Sequence, residues 1–128
     1  FVGNETIKYI IRKKKLLIDL NSKSKYFEEI LNKFIDKNNL DLKIYRYASI
    51  IRIVYTKNKV INRVQRDFFE SKISSKIKKF RKYLFTKNIY YPTSGIIFFS
   101  FSSSYNNIDY VIKYIKTGFK KFFKGKIY

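Results

Sequence analysis

The stretch L-D-L-K-I-Y-R-Y-A-S-I-I-R-I-V-Y-T-K, residues 40–57, decides the fold. Apolar and polar residues alternate through L-D-L-K-I-Y-R-Y, and β-branched residues dominate S-I-I-R-I-V-Y-T; both patterns mark strands. Ala48 and Ser49 divide the two runs. A hairpin and a single long bulged strand satisfy this pattern equally.

Downstream, Ile61, Val64, Phe68, Ile73, Ile77, Phe80 and Leu84 recur at steps of three to five, which predicts one long basic helix over 60–85, inside a helical segment of about 58–86. Lys72, Lys76, Lys79 and Lys82 fall on a different face of that helix. Pro92-Thr93-Ser94-Gly95 then breaks the chain, residues 96–101 read as a strand, and S-S-S-Y-N-N reads as a turn. Asn107 can cap a last helix, in which Ile108, Val111, Ile112, Ile115 and Phe119 form an apolar stripe. Lys113, Lys116 and Lys120 form a second stripe, and Gly118 is expected to end or loosen the helix.

Upstream, residues 24–38 read as a helix with Ser24 as N-cap and Phe27, Ile30, Leu31, Phe34 and Ile35 at helical spacing. Glu28 and Glu29 sit in its first turns, where the helix dipole favours negative charge, and are read as structural. Residues 6–20 read as two strands joined by a tight basic turn at Arg12, Lys13, Lys14 and Lys15. The predicted architecture is α+β, in the broad α/β class: a small, mostly antiparallel sheet packed against two or three helices. Residues 1–117 form one compact domain, and residues 118–128 form a basic, aromatic C-terminal extension.

Chemistry is thin and charge is abundant. The chain has no Cys and no His, which removes disulfides, thiolate nucleophiles, zinc sites of the usual ligand sets and imidazole acid–base catalysis. The four glycines are too scattered for a phosphate-cradling loop. The aspartates stand alone in sequence, and Ser102 to Ser104 have no base beside them. No enzyme activity, metal, cofactor or small-molecule substrate is expected. Against this, 29 Lys and Arg oppose 9 Asp and Glu, a net charge of +20 that repels itself in one small domain unless a polyanion offsets it. No acid occurs between Glu70 and Asp109. The expected partner is therefore RNA, met by lysine–phosphate contacts at Arg12 to Lys15, at Lys72, Lys76, Lys79 and Lys82, and at Lys113 and Lys116. Lys120, Lys121, Lys124 and Lys126 of the tail complete the set, with Gly125 allowing close backbone approach. Phe122 and Phe123 are read as core.

Lys, Asn, Ile, Phe and Tyr fill 78 of 128 positions, and their codons are A/T-rich, which points to an organelle genome, a mitochondrion first and a plastid second. No apolar run of transmembrane length is present, and membrane contact ranks below RNA. The chain starts on Phe1 rather than Met, which reads as a processed or partial chain, and its opening lacks a signal-peptide pattern.

The segment from Pro92 onward resembles the C-terminal part of the large-subunit ribosomal protein L-six family. Pro92-Thr93 stands before a strand, Ile108, Val111 and Ile115 hold the helix spacing, and F-K-G-K-I-Y stands where that family has a basic extension. F-V-G and I-R-K-K-K-L-L-I-D-L-N-S-K-S near the start resemble its strand pair, with residues 26–88 as an insertion. The resemblance implies a small α/β domain bound to large-subunit ribosomal RNA among neighbouring ribosomal proteins. A second resemblance, ranked below it, is to small-subunit ribosomal protein three, of KH type. It rests on I-Y-R-Y-A-S-I-I-R-I as a strand pair and on Ile108 to Tyr110 and F-K-G-K-I as strands. A basic membrane-surface or respiratory-complex subunit is the alternative outside the ribosome, and a DNA-compacting protein a third.

Overall fold

The computed structural model describes residues 2–124. The alternating stretch forms a hairpin, β1 (Lys43–Tyr47) and β2 (Ile50–Val54), with Tyr47 opposite Ile50. That register leaves Ala48 and Ser49 as a two-residue turn, and Ala48 takes the left-handed conformation (φ 51°) such tight turns require. A short third strand, β3 (Ile96–Phe98), pairs antiparallel with the other edge of β2, giving the order β1-β2-β3. The bulged-strand reading is thus resolved in favour of the hairpin.

Alternation buries Ile44, Ile51 and Ile53 on one sheet face, where the helix α2 (Lys14–Lys37) packs. Polar side chains lock the two together. The Asn32 amide accepts from the Ile44 N–H (2.9 Å) and donates to the Ile44 carbonyl (3.0 Å), satisfying the open edge of β1. Arg46 of β1 pairs with Glu28 at 2.9 Å. The buried Ser24 hydroxyl lies 2.7 Å from the Ala48 carbonyl and ties the hairpin turn to the helix. Two further helices, α4 (Ser74–Phe85) and α5 (Tyr105–Phe123), complete one core around Phe27, Leu31, Phe80, Leu84, Phe119 and Phe123, all with about 1% or less of their surface exposed. The α+β class and the small antiparallel sheet against helices are as the sequence predicts.

Two elements stand apart from that core. α1 (Val2–Arg12) packs against α2 and leaves Ile7, Tyr9 and Ile11 exposed. α3 (Arg63–Lys72) buries no residue; it reaches the second face of the sheet through Arg52 of β2, whose guanidinium donates to Glu70 at 3.2 and 3.3 Å.

Five local readings need correction. Residues 6–20 are helical rather than a strand pair: α1 ends at Arg12, the chain turns at Lys13 (φ −111°, ψ 51°), and α2 follows. The buried stripe Leu20, Ser24, Phe27, Leu31, Ile35 runs at steps of three and four straight through Ser24, so Ser24 is a mid-helix residue and not a cap. The long helix over 60–85 is two helices, broken at the buried Ile73 (φ −120°, ψ 18°). The last strand stops at Phe98, short of residue 101. Ser104, rather than Asn107, caps α5, its hydroxyl oxygen accepting from the Asn107 N–H at 3.1 Å.

A sixth correction alters the tail. Gly118 does not end α5, which continues to Phe123. A Cβ on Gly118 would lie 2.5 Å from the Phe80 ring, so glycine is there to let α4 and α5 approach. Residues 118–123 are the last turns of a core helix rather than the start of an extension, and Phe119 and Phe123 are fully buried. Lys126 and Gly125 lie outside the described residues.

Candidate nucleic-acid interface

α4 and α5 run antiparallel: Phe80 meets Phe119, Phe122 and Phe123, Tyr83 meets Phe122, and the Tyr110 hydroxyl donates to the Lys87 carbonyl at 3.1 Å. The N-terminal half of α4 therefore lies beside the C-terminal half of α5, and both are lysine-rich. On α5, Lys113 and Lys120 recur at a step of seven on the outer face, Lys124 follows directly after the helix, and all three are exposed. Lys116 and Lys120 hold their ammonium groups 5.6 and 5.4 Å from the Phe34 ring of α2. Lys121 leans the other way, 5.8 Å from the Tyr83 ring of α4. Lys79 and Lys82 of α4 are exposed near Tyr83, and Lys76 is half-buried. Phe34 and Tyr83 are only partly buried, so the lysine stems rest on aromatic surface while their charged ends reach solvent.

On this face, among the described residues, the lysines have no acid beside them. All nine carboxylates have partners inside the protein: seven are in ion pairs, Asp41 accepts from the Lys57 N–H, and Asp109 accepts from the Tyr26 hydroxyl at 2.7 Å. Arg66 draws the Asp67 carboxyl below its ordinary range by hydrogen bonding, whereas burial raises Glu70 despite the Arg52 guanidinium beside it. Among the described residues, no carboxylate lies within ion-pairing distance of Lys76, Lys79, Lys82, Lys113, Lys116, Lys120, Lys121 or Lys124. Most of the arginines are engaged within the fold, as are Lys8, Lys23, Lys25 and Lys57, which pair with acids. Arg46, Arg52, Arg63 and Arg66 pair with acids, and Arg81 donates to the Tyr91 carbonyl at 3.2 Å. The cations of the α4–α5 face are nearly all lysines, point charges on flexible stems that suit phosphates presented in varied geometry.

The remaining predicted residues lie elsewhere. Arg12, Lys13, Lys14 and Lys15 stay together and exposed, but at the junction of two helices instead of a hairpin turn. Lys13 holds its ammonium 4.9 Å from the Tyr9 ring. Twenty residues of α2 separate Lys14 from Phe34, about 30 Å at 1.5 Å per residue, so this cluster sits far from the α5 lysines. Lys72 ends α3 and stacks its ammonium 4.2 Å from the Phe68 ring. Sequence spacing gave no hint of the aromatic bed of Phe34 and Tyr83, which belongs to neighbouring helices; Lys78, Arg81 and Lys87 add to the acid-free field that the sequence already marks.

Among the described residues, no helix is long and apolar enough to cross a membrane, and no group of three or more acids could hold a metal ion. No family model and no curated protein matches the chain.

Proposed function

We propose that this protein is a structural RNA-binding protein of a mitochondrial ribosome, holding large-subunit ribosomal RNA with lysines of α4 and α5. One observation carries the reading: every acid is engaged within the fold, while a continuous lysine face on two packed helices has no acid to meet. Such a face attracts a polyanion and releases its condensed counterions. Its aromatic bed holds the charges in place, so less ordering entropy is lost on binding. The assignment to a large subunit rests on the resemblance of residues 92–128 to the L-six family. Within it, Pro92 and Thr93 do precede β3, and Ile108 and Ile115 are buried on α5, whereas the opening segment lacks the family's strand pair. The KH-type reading ranks lower because Ile108 to Tyr110 are helical.

The test is the salt dependence of RNA affinity. Replacing Lys113, Lys120, Lys121 and Lys124 together by Gln should reduce the slope of log K against log salt by about 3–4, if each lysine touches one phosphate. All four are exposed, so the fold should survive. An unchanged slope removes this face from the interface. Recovery of the native protein in an RNA-free complex rules out the ribosomal assignment itself.

A second reading has its own observation. α1 carries exposed Ile7, Tyr9 and Ile11 directly before the Arg12–Lys15 cluster, the composition of a helix lying on an anionic membrane surface. Lipid-dependent liposome binding that survives nuclease would favour it.

A further inference from the structure

On the flank of α4 turned away from α5, an open cleft of about 360 Å3 is lined by Lys78, Arg81, Lys82, Phe85, Tyr90 and Tyr91. That volume lies at the lower end of small-ligand sites, about 300–1,000 Å3. Lys78, Arg81, Lys82 and Phe85 are spaced i, i+3, i+4 and i+7, one stripe of the helix, and the loop bearing Tyr90 and Tyr91 forms the opposite wall. The lining holds three cations and three aromatic rings and no acid.

The floor is built and the walls are open. Tyr91 is 5% exposed; its hydroxyl lies 3.3 Å from both the Tyr55 hydroxyl and the Gly95 carbonyl, and burial pushes its pKa up to about 12, so it stays neutral. The Arg81 Nε–H donates to the Tyr91 carbonyl, which fixes the guanidinium at the cleft while no carboxylate among the described residues neutralises it. Phe85 and Tyr90, by contrast, are 70% and 79% exposed. Neither ring contributes much to the core, and each stands beside positive charge. A planar base attached to a phosphate satisfies both features at once: the rings offer π-faces, and Lys78, Lys82 and Arg81 offer donors to the phosphate oxygens.

We infer that this cleft holds an unpaired nucleotide of the bound RNA, its base against Phe85 or Tyr90 and its phosphate at Lys78, Arg81 and Lys82. The inference rests on the RNA-binding reading and deepens it. The α4–α5 lysines grip phosphates of any helix, and the cleft adds a preference for a flipped-out or single-stranded residue. Lys82, at the edge between the two surfaces, belongs to both.

The experiment compares two probes on the full chain: an oligouridine of about twelve nucleotides and an RNA duplex of similar length. The Phe85→Ala, Tyr90→Ala double variant should bind oligouridine about tenfold more weakly, with its salt slope and its duplex affinity unchanged. Both side chains are exposed, so this variant keeps its fold, and Phe85→Tyr with Tyr90→Phe should restore the affinity. Full oligouridine affinity in the alanine variant overturns the cleft. Equal loss on both probes also overturns it, because a duplex offers no free base. Either result leaves the lysine face standing, since duplex binding still reports on it. Failure of wild-type protein to bind either RNA at low salt sinks both readings. Loss of anionic-liposome binding in the double variant, with RNA binding intact, would give the cleft to a lipid headgroup instead.

Discussion

Gly118 shows how much one residue decides. A glycine five residues from the end of a basic amphipathic run looks like a helix stop, because glycine is the usual residue past a helix C-terminus. Here it lies inside α5, buried, with the Phe80 ring where a Cβ would be. Alanine at this position gains about 1 kcal/mol of helix propensity. It also forces a fully buried ring to move in a packed core, at a cost of about 1–3 kcal/mol. Since Phe80 also meets Tyr91, Phe119, Phe122 and Phe123, it has little room to yield. Gly118→Ala should therefore lower stability by about 1 kcal/mol net in urea unfolding, and a stabilised variant would show that Phe80 can move. The contact joins residues 38 positions apart, which is why local pattern could not reveal it. Ser24 is a similar case: a polar residue in an apolar stripe reads as a boundary until its carbonyl partner at Ala48 is known.

At the scale of elements, legibility followed the regularity of the pattern. The hairpin of residues 43–54 is one of the two forms its pattern allows, and the apolar positions Phe27 to Ile35 of α2 and Ile108 to Phe119 of α5 lie on helices as their spacing predicts. The five-residue step from Phe68 to Ile73 is the one irregular step in residues 61–84, and it marks the break between α3 and α4. The strand pattern of residues 6–20 does not decide their structure, because short runs such as T-I-K-Y-I satisfy both a two-residue and a near-four-residue period. α3 also raises a question of attachment. With no buried side chain, it depends on the Arg52–Glu70 pair, whose side chains are each 19% exposed. Glu70→Ala should cost about 2 kcal/mol, the value of charge-assisted hydrogen bonds of this kind. Hydrogen exchange should show the loss confined to α3, with amides of α2 and α5 as protected as before. Uniform loss across the helices would mean that α3 is part of the cooperative core.

For the molecule as a whole, the net charge of +20 acts on binding and stability in opposite ways. Added salt weakens attraction to phosphates but also screens self-repulsion, as the Debye length falls from about 30 Å at 0.01 M to about 8 Å at 0.15 M. Raising NaCl across that range should increase stability by about 1 kcal/mol, or about 4 °C in Tm, while RNA affinity falls steeply. A Tm that drops on adding salt would mean that the internal ion pairs outweigh the repulsion. Composition announced the charge excess plainly. It could not announce that the Arg12 to Lys15 cluster lies about 30 Å along α2 from the lysines that meet Phe34, because that depends on how far the helix runs.

The contrast between the α4–α5 lysines and the ion-paired Arg46 and Arg52 bears on how such a chain can change over generations. Phosphate attraction sums over many charges, so a lysine lost from one turn of α5 and regained a turn away leaves the field almost as it was. Arg46 and Arg52 have no such latitude, because each guanidinium meets one carboxylate at one place in the fold and an ammonium does not reproduce its planar fork. Mutational pressure toward A/T converts arginine codons to lysine codons. Where such pressure acts, the outer lysines should turn over freely while the ion-paired arginines persist; relatives in which Arg46 and Arg52 exchange with lysine as readily as the α5 lysines shift would contradict this.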